Sequence, residues 1–199
     1  MVRGMRNSYE VRAQKFIREL DEYITDCVYA WDYNYAINKF MFDHPNRKIR
    51  FDHGLTRVAF ITSDYVVKID YDKQQIARFG GSENEIRFYE IAKQDGMEYL
   101  FAKISRYEYN GHKYYIMPKV TGINENRWQD AYYYMTEEEE DWCMEHQLYD
   151  LHCKNYGIMH GKVCIIDYGA YEDGVEDSDS DTYDWDSYSD SKSESKSYE

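Results

Sequence analysis

Two short segments in the C-terminal half carry oxygen-bearing side chains at a spacing suited to chemistry. Asp150 is followed by Asn155, and twelve residues later Asp167 begins an Asp-Tyr-Gly turn behind an apolar run. A carboxylate can accept a proton from an attacking hydroxyl, and carboxylate oxygens bind Mg²⁺. Proton acceptance and Mg²⁺ binding are what phosphoryl transfer requires. The same residues also suit a loop Asx-turn and an ordinary turn at a strand end.

This pattern resembles the catalytic loop and the metal-binding Asp-Phe-Gly segment of protein kinases and related small-molecule kinases. The resemblance implies that Asp150 is the catalytic base, Asn155 a ligand of a second metal ion and Asp167 the principal metal ligand. His152 stands where protein kinases usually have Lys. In that respect the segment is closer to aminoglycoside-phosphotransferase-like enzymes and to compact bacteriophage-encoded kinases. The resemblance therefore implies ATP and Mg²⁺ as cofactors.

A lysine and a glutamate in the N-terminal half are candidates for the ion pair of such a site. Lys68 follows two valines in a strand-like run, which resembles the Val-Ala-Ile-Lys strand of kinases. The resemblance implies that Lys68 contacts the α- and β-phosphates. Apolar residues follow Glu85 at three, four and seven positions, which places Glu85 on the inward stripe of a helix. Ser82-Glu-Asn-Glu85 also matches a capping box, which would explain Glu85 without an ion pair.

Residues 114–120 resemble the fifth strand and hinge of a kinase. The resemblance implies that Met117 is the gatekeeper behind an adenine pocket and that the backbone from Pro118 to Val120 faces adenine. Pro118 has no N–H, so Val120 or a neighbour would supply the donor. An ordinary edge strand that ends at a proline is the alternative.

The segment between the first two predicted strands is the position of a phosphate-covering loop. It contains Gly54 but not the three glycines of the kinase pattern. Close approach of the backbone to phosphates is less favoured with one glycine. Thr56 or Arg57 is the alternative phosphate contact.

Hydrophobic periodicity predicts an α+β protein with one long N-terminal helix over about residues 8–41. Strands are predicted near 48–51, 56–62, 65–71, 101–108 and 113–120. Helices are predicted near 83–94 and 136–148, and a small hairpin over 157–166. With the resemblance, this order implies a bilobal protein kinase-like fold with a minimal C-lobe. The predicted divisions are an N-terminal helical segment, an N-lobe, the C-lobe and an acidic tail, over 1–45, 46–119, 120–171 and 172–199. The short C-lobe is expected to pack against the N-terminal helix.

Charge and composition exclude several classes of partner. The 199 residues contain 24 basic and 38 acidic side chains, for a net charge of −14. This balance argues against direct nucleic-acid binding and against anionic membranes. Apolar runs are too short for a membrane span, and no secretory signal is visible, so we expect a cytoplasmic protein. The four cysteines lack metal-binding or redox spacing and are expected to be reduced.

The last 28 residues combine eleven acidic residues with two lysines and few aliphatic side chains, which predicts disorder. Their Ser, Thr and Tyr hydroxyls are candidate autophosphorylation sites; a solubilising tail and a mimic of nucleic acid are alternatives.

We expect an ATP–Mg²⁺ phosphotransferase that acts on Ser/Thr of host proteins or on itself. The resemblance to compact phage kinases implies a viral protein in a host cytoplasm. The alternatives are a pseudokinase-like binding protein, such as a viral inhibitor of a host enzyme, and a small-molecule kinase.

Overall fold

A computed structural model describes residues 8–71, 73–122, 135–148, 151 and 155–169. The predicted base Asp150, the distinctive His152 and the acidic tail lie outside these described residues. The chain is a mixed α+β protein built from antiparallel sheets. In the part of the chain that is described, no helix combines the length and the apolar character needed to cross a bilayer.

The N-terminal segment forms two helices, α1 (Ser8–Ile24) and α2 (Ala30–Asp43), so the prediction of one continuous helix is wrong. Asp32 explains the break. Its carboxylate accepts hydrogen bonds from the backbone N–H groups of Val28 (3.1 Å) and Tyr29 (2.9 Å), and these bonds begin a new helix.

Five antiparallel strands form the larger sheet. They are β1 (Arg50–His53), β2 (Arg57–Ile61), β3 (Tyr65–Asp70), β4 (Ser105–Tyr109) and β5 (His112–Pro118). The spatial order is β1-β2-β3-β5-β4, which makes β3 the central strand. The β4–β5 turn at Asn110 and Gly111 has positive φ angles at both residues (49° and 82°), as a tight hairpin requires.

The two faces of this sheet have different roles. Side chains of α1 and α2, including Phe16 and Phe40, bury one face together with Phe60 and Val67. Because neighbouring residues of a strand point to opposite faces, Lys68 lies on the other face. The N-terminal helices therefore support the sheet from behind; the partner found for them among the described residues is this sheet, whereas the C-terminal part was expected.

The segment after β3 supplies the helix that completes the site. A short helix, α3 (Lys73–Phe79), was not predicted from the sequence, whereas α4 (Ser82–Asp95) matches the predicted position. Helix α4 ends at Gly96, which adopts the left-handed conformation with φ 77°. A 3₁₀ turn (Glu98–Leu100) leads from α4 toward β4.

The C-terminal part contains a small sheet and one described helix. Strands β6 (Thr121–Gly122), β7 (Tyr156–Met159) and β8 (Lys162–Ile165) pair in that order, and α5 (Glu137–Glu145) precedes β7. The N–H of Ala102 donates to the carbonyl of Ile165 at 2.9 Å, which ties β8 to the segment before β4. Phe101, Trp142 and Tyr168 pack edge to face across this junction.

Candidate functional site

Lys68 and Glu85 form a buried ion pair between the central strand and α4. The distance from Lys68 Nζ to Glu85 Oε1 is 2.6 Å, and the two side chains are 7% and 0% exposed. The capping-box interpretation of Glu85 is wrong. Gly81 is the N-cap of α4, and the Ser82 hydroxyl donates to Asp70. Glu85 is thus available to the lysine.

Asp167 lies at the end of β8, next to this pair. Its Oδ1 is 4.0 Å from Lys68 Nζ, and its side chain is 43% exposed. Lys68 also donates to the carbonyl of Ile166 at 3.2 Å, and the N–H of Tyr168 lies 3.4 Å from Glu85 Oε1. The lysine and the glutamate therefore hold the Asp-Tyr-Gly backbone on both sides of Asp167.

Arg57 joins the two carboxylates. Its Nη1 is 3.1 Å from Glu85 Oε1, its Nη2 is 3.2 Å from Asp167 Oδ1, and its side chain is 12% exposed. From the sequence, Arg57 was expected only as an alternative phosphate contact in the phosphate-covering loop. The inward position of Arg57 follows from the alternation of side chains along β2. Arg57 lies two residues from Ala59, and Ala59 pairs directly with Lys68.

The charged cluster consists of two cations, Lys68 and Arg57, and two carboxylates, Glu85 and Asp167. Burial of Glu85 raises its pKa, while Lys68 and Arg57 act in the opposite direction. Burial acts to lower the pKa of Arg57, but Glu85 and Asp167 outweigh it and raise that pKa above its ordinary value. The guanidinium is therefore permanently charged.

The first turn of α4 is fixed to the sheet by side-chain contacts. Glu83 Oε1 accepts from Lys113 Nζ at 3.0 Å and from Arg106 Nη1 and Tyr115 Oη at 3.1 Å each. Burial alone would raise the pKa of Glu83, but these hydrogen bonds lower it below its ordinary value. These contacts therefore fix the turn of α4 that also carries Glu85.

The predicted hinge joins the two sheets. Met117 pairs with Val66 on the face that also carries Lys68, and both Met117 and Val120 are buried. The N–H of Lys119 donates to the carbonyl of Asp64 at 2.9 Å. Gly157 of β7 packs against Val120 so closely that a Cβ at position 157 would clash with the valine side chain.

Gly54 lies in the turn that leads into β2. Its N–H donates to the carbonyl of Arg57 at 2.9 Å, and its own carbonyl accepts from the Tyr71 hydroxyl at 2.6 Å. A Cβ at this position would meet no atom within 4 Å. The N–H of Gly54 is therefore engaged within the turn.

Asp167 and Asn155 are the described candidates for metal binding. Asn155 is buried, and its carbonyl accepts a hydrogen bond from the N–H of Ile166, which places it beside the segment between β8 and Asp167. Among the described residues, no group of three or more His, Cys, Asp or Glu side chains could hold a metal ion. Mg²⁺ commonly uses one or two carboxylates with substrate phosphates, and the partly exposed Asp167 fits such a ligand.

No protein-family model matches the sequence, and no curated protein matches it. A solved structure, the Legionella pneumophila Lpg2603 kinase bound to IP6, is similar with a TM-score of 0.36 and 14% identity. The similarity covers 67% of this chain and 64% of that one, so the chain spans less than two thirds of the kinase it matches.

Proposed function

We propose that this chain is an ATP- and Mg²⁺-dependent phosphotransferase with a bilobal, protein kinase-like fold. The observation that carries the proposal is the Lys68–Glu85 ion pair of 2.6 Å, with Asp167 Oδ1 4.0 Å from the same lysine nitrogen. These three residue types come from a central strand, the following helix and a C-terminal hairpin. Such an arrangement supplies a fixed cation for phosphates and a carboxylate for a metal ion.

Each residue has a defined task in this proposal. Lys68 binds the α- and β-phosphates while Glu85 fixes the position of its ammonium group. Asp167 and Asn155 are the residues that would hold Mg²⁺, which neutralises charge on the transferred phosphoryl group when bound. Asp150 accepts the proton of the attacking hydroxyl; its position lies outside the described residues.

The hinge provides the place for the base of the nucleotide. Met117 is buried, and just after it the chain crosses from the larger to the smaller sheet between Pro118 and Thr121. Because the N–H of Lys119 is bonded to Asp64, we assign the donor toward adenine to the backbone of Val120.

The proposed acceptors are Ser and Thr hydroxyls of host proteins or of the chain's own residues 172–199. That segment places hydroxyl side chains beside carboxylates. Phosphorylation would add about −1.5 to −2 charges at each site. Mass spectrometry of wild type and of Asp167→Asn tests self-modification, because tail phosphate that is equal in both proteins would exclude it.

The decisive experiment is ³²P transfer from γ-labelled ATP with Mg²⁺, with and without host-cell lysate. Wild type is compared with Asp150→Ala and Lys68→Met. Lys103→Met is the matched control, since Lys103 is half-exposed and pairs with Glu10 on α1. Label in wild type and in the control, but not in the two site variants, would support a kinase. Label of equal strength in all four proteins, or in none, would contradict it.

A nucleotide-binding protein without transfer activity is the second candidate. Arg57 favours it, because in the structure its guanidinium is 3.2 Å from Asp167 Oδ1, the oxygen that a metal ion would use. Thermal unfolding with ATP identifies binding, since a ligand at about 100 times its Kd stabilises by about 2.7 kcal/mol. Binding together with no ³²P transfer would support this second function.

A further inference from the structure

The register of the larger sheet places Arg57 beyond Lys68 along the path of a nucleotide. Met117 at the hinge is paired with Val66, Lys68 is two residues further along β3, and Arg57 faces Asp70 two residues further again. Alternate residues of a strand share one face and are about 7 Å apart. Moving away from the hinge, the backbone positions on this face therefore follow the order Met117, Lys68 and Arg57, while the charged ends of Lys68 and Arg57 meet at Glu85 Oε1.

We propose that Arg57 binds the terminal phosphate of a nucleoside triphosphate and gives the site its preference for triphosphate over diphosphate. This inference rests on the proposed function, in which adenine lies at the hinge and Lys68 contacts the α- and β-phosphates. Lys68 contacts the α- and β-phosphates, so a phosphate chain that continues away from the hinge brings its terminal phosphate to Arg57.

The chemistry of the guanidinium suits this task. An arginine presents five N–H donors in a planar fork that matches two phosphate oxygens, and charge-assisted bonds of this kind are strong. Within the described part of the chain, Arg57 Nη1 is buried and makes no aligned hydrogen bond, although it is in ionic contact with Glu85. Arg57 therefore has donor capacity beyond its two carboxylate partners.

The turn before β2 explains why a side chain would take this role. Kinases that cover phosphates with a glycine-rich loop use backbone N–H groups, but the N–H of Gly54 is bonded to the carbonyl of Arg57. The Tyr71 hydroxyl holds the carbonyl of Gly54 as well. A cationic side chain at the base of this turn replaces those backbone donors.

The position of Arg57 also connects phosphate binding with Asp167. The guanidinium contacts Asp167 Oδ1 at 3.2 Å, so a phosphate that attracts Arg57 releases that carboxylate oxygen for Mg²⁺. Triphosphate binding and metal binding at Asp167 then support each other. A diphosphate, which ends near Lys68, leaves Arg57 with its carboxylate partners.

The test is direct binding of ADP and of a non-hydrolysable ATP analogue, measured by calorimetry with Mg²⁺ for wild type, Arg57→Met and Arg57→Lys. We expect Arg57→Met to weaken binding of the triphosphate analogue by about 10- to 100-fold, the worth of a hydrogen bond to a charged group. ADP affinity is expected to change less than about threefold, because ADP ends before the row of Arg57. Arg57→Lys keeps the charge but not the fork, so its loss for the triphosphate is expected to be smaller.

The controls separate this inference from the proposed function. Arg18→Met is the matched variant, because Arg18 lies on α1 behind the sheet and donates to the Tyr107 hydroxyl. Equal losses for ADP and triphosphate in both Arg57 variants, or tighter triphosphate binding, would overturn the phosphate role while the nucleotide site stands. Wild type that binds neither nucleotide would overturn the proposed function and the inference together. Arg57→Lys retains the buried charge, so it provides the comparison if Arg57→Met does not fold.

Discussion

The carboxylate of Asp70 accepts two hydrogen bonds from Ser82, one from its N–H (2.9 Å) and one from its hydroxyl (2.6 Å). Asp70 is the last residue of β3 and Ser82 is the first of α4. The contact at Gly81 is equally close, since a Cβ there would lie 2.8 Å from Asp70 Oδ2. This link joins the strand of Lys68 to the helix of Glu85, and we infer that it sets their distance.

The first prediction concerns this link. Asp70→Ala is expected to lower the free energy of unfolding by about 1–2 kcal/mol, because it removes a helix-terminus acceptor and leaves the buried Ser82 without that partner. Urea denaturation measures the loss. Asp52→Ala is the control, since Asp52 is exposed on β1 and its change should stay within about 0.5 kcal/mol. Equal effects of the two substitutions would show that the Asp70–Ser82 link is not structural.

The second prediction is an asymmetry between the two partners of the buried ion pair. Glu85→Leu leaves Lys68 and Arg57 without their shared carboxylate and is expected to cost about 3–5 kcal/mol. Lys68→Met leaves Glu85 paired with Arg57, so its cost is expected to be smaller. Urea denaturation of both single variants and of the double variant gives the coupling energy.

Because the double variant removes both charges, its loss should be less than the sum of the single losses. If Lys68→Met destabilises the chain as much as Glu85→Leu, Arg57 does not share Glu85 in solution.

The resemblance to kinases predicted the pairing of Lys68 with Glu85, and local sequence patterns supported the position of each residue. A lysine in a β-branched strand and a glutamate on the apolar stripe of the next helix each have a short-range signature. The inward position of Arg57 depends in addition on the β2–β3 register, in which Ala59 pairs with Lys68. Register is set by pairing between strands, so the residue pattern around Arg57 alone did not reveal it.

The N-terminal segment shows where helical spacing misled the prediction. Trp31 and Tyr35 recur at helical steps but are 66% and 75% exposed, so their spacing did not mark a core face. The cap formed by Asp32 divides the segment. Packing of α1 and α2 on the sheet involves partners more than 20 residues away in sequence, such as Phe60 and Val67, and no local pattern specifies such contacts.

The third prediction contrasts two glycines of the site. A Cβ at Gly169 would lie 2.5 Å from the carbonyl oxygen of Gly81 and 2.8 Å from Glu85 Cγ, whereas a Cβ at Gly54 meets nothing. Gly169→Ala is expected to lower the free energy of unfolding by about 1–3 kcal/mol, because it pushes the Asp-Tyr-Gly segment away from α4. Gly54→Ala should stay within about 0.5 kcal/mol.

Urea denaturation of both glycine variants is the measurement. A tolerated Gly169→Ala would show that the Asp-Tyr-Gly segment does not pack against α4 as closely as the structure indicates.

The fourth prediction is that the free energy of unfolding depends on pH through Asp21, which lies on α1 behind the sheet. Asp21 of α1 is buried and accepts hydrogen bonds from Tyr114, from His112 Nδ1 (3.0 Å) and from Asn110 (2.8 Å). Burial alone would raise the pKa of Asp21, but these bonds outweigh it and hold that pKa below its ordinary value. The carboxylate therefore stabilises the fold above the ordinary aspartate pKa of about 3.9, and this contribution is lost as the pH falls through the lower folded-state value.

Asp21→Asn removes the charge at every pH, so it is expected to cost about 1–3 kcal/mol at pH 7, the worth of hydrogen bonds to a charged group. The difference in unfolding free energy between this variant and wild type should become smaller below about pH 4. In that range the Asp21 carboxylate of the unfolded wild type takes up a proton at a higher pH than that of the folded protein. Urea denaturation across this range tests both points, with Glu22→Gln, exposed on the same helix, as the control. A gap that stays constant down to the lowest pH would show that the pKa of Asp21 is the same in the folded and the unfolded protein, so that its hydrogen bonds do not favour the ionised carboxylate.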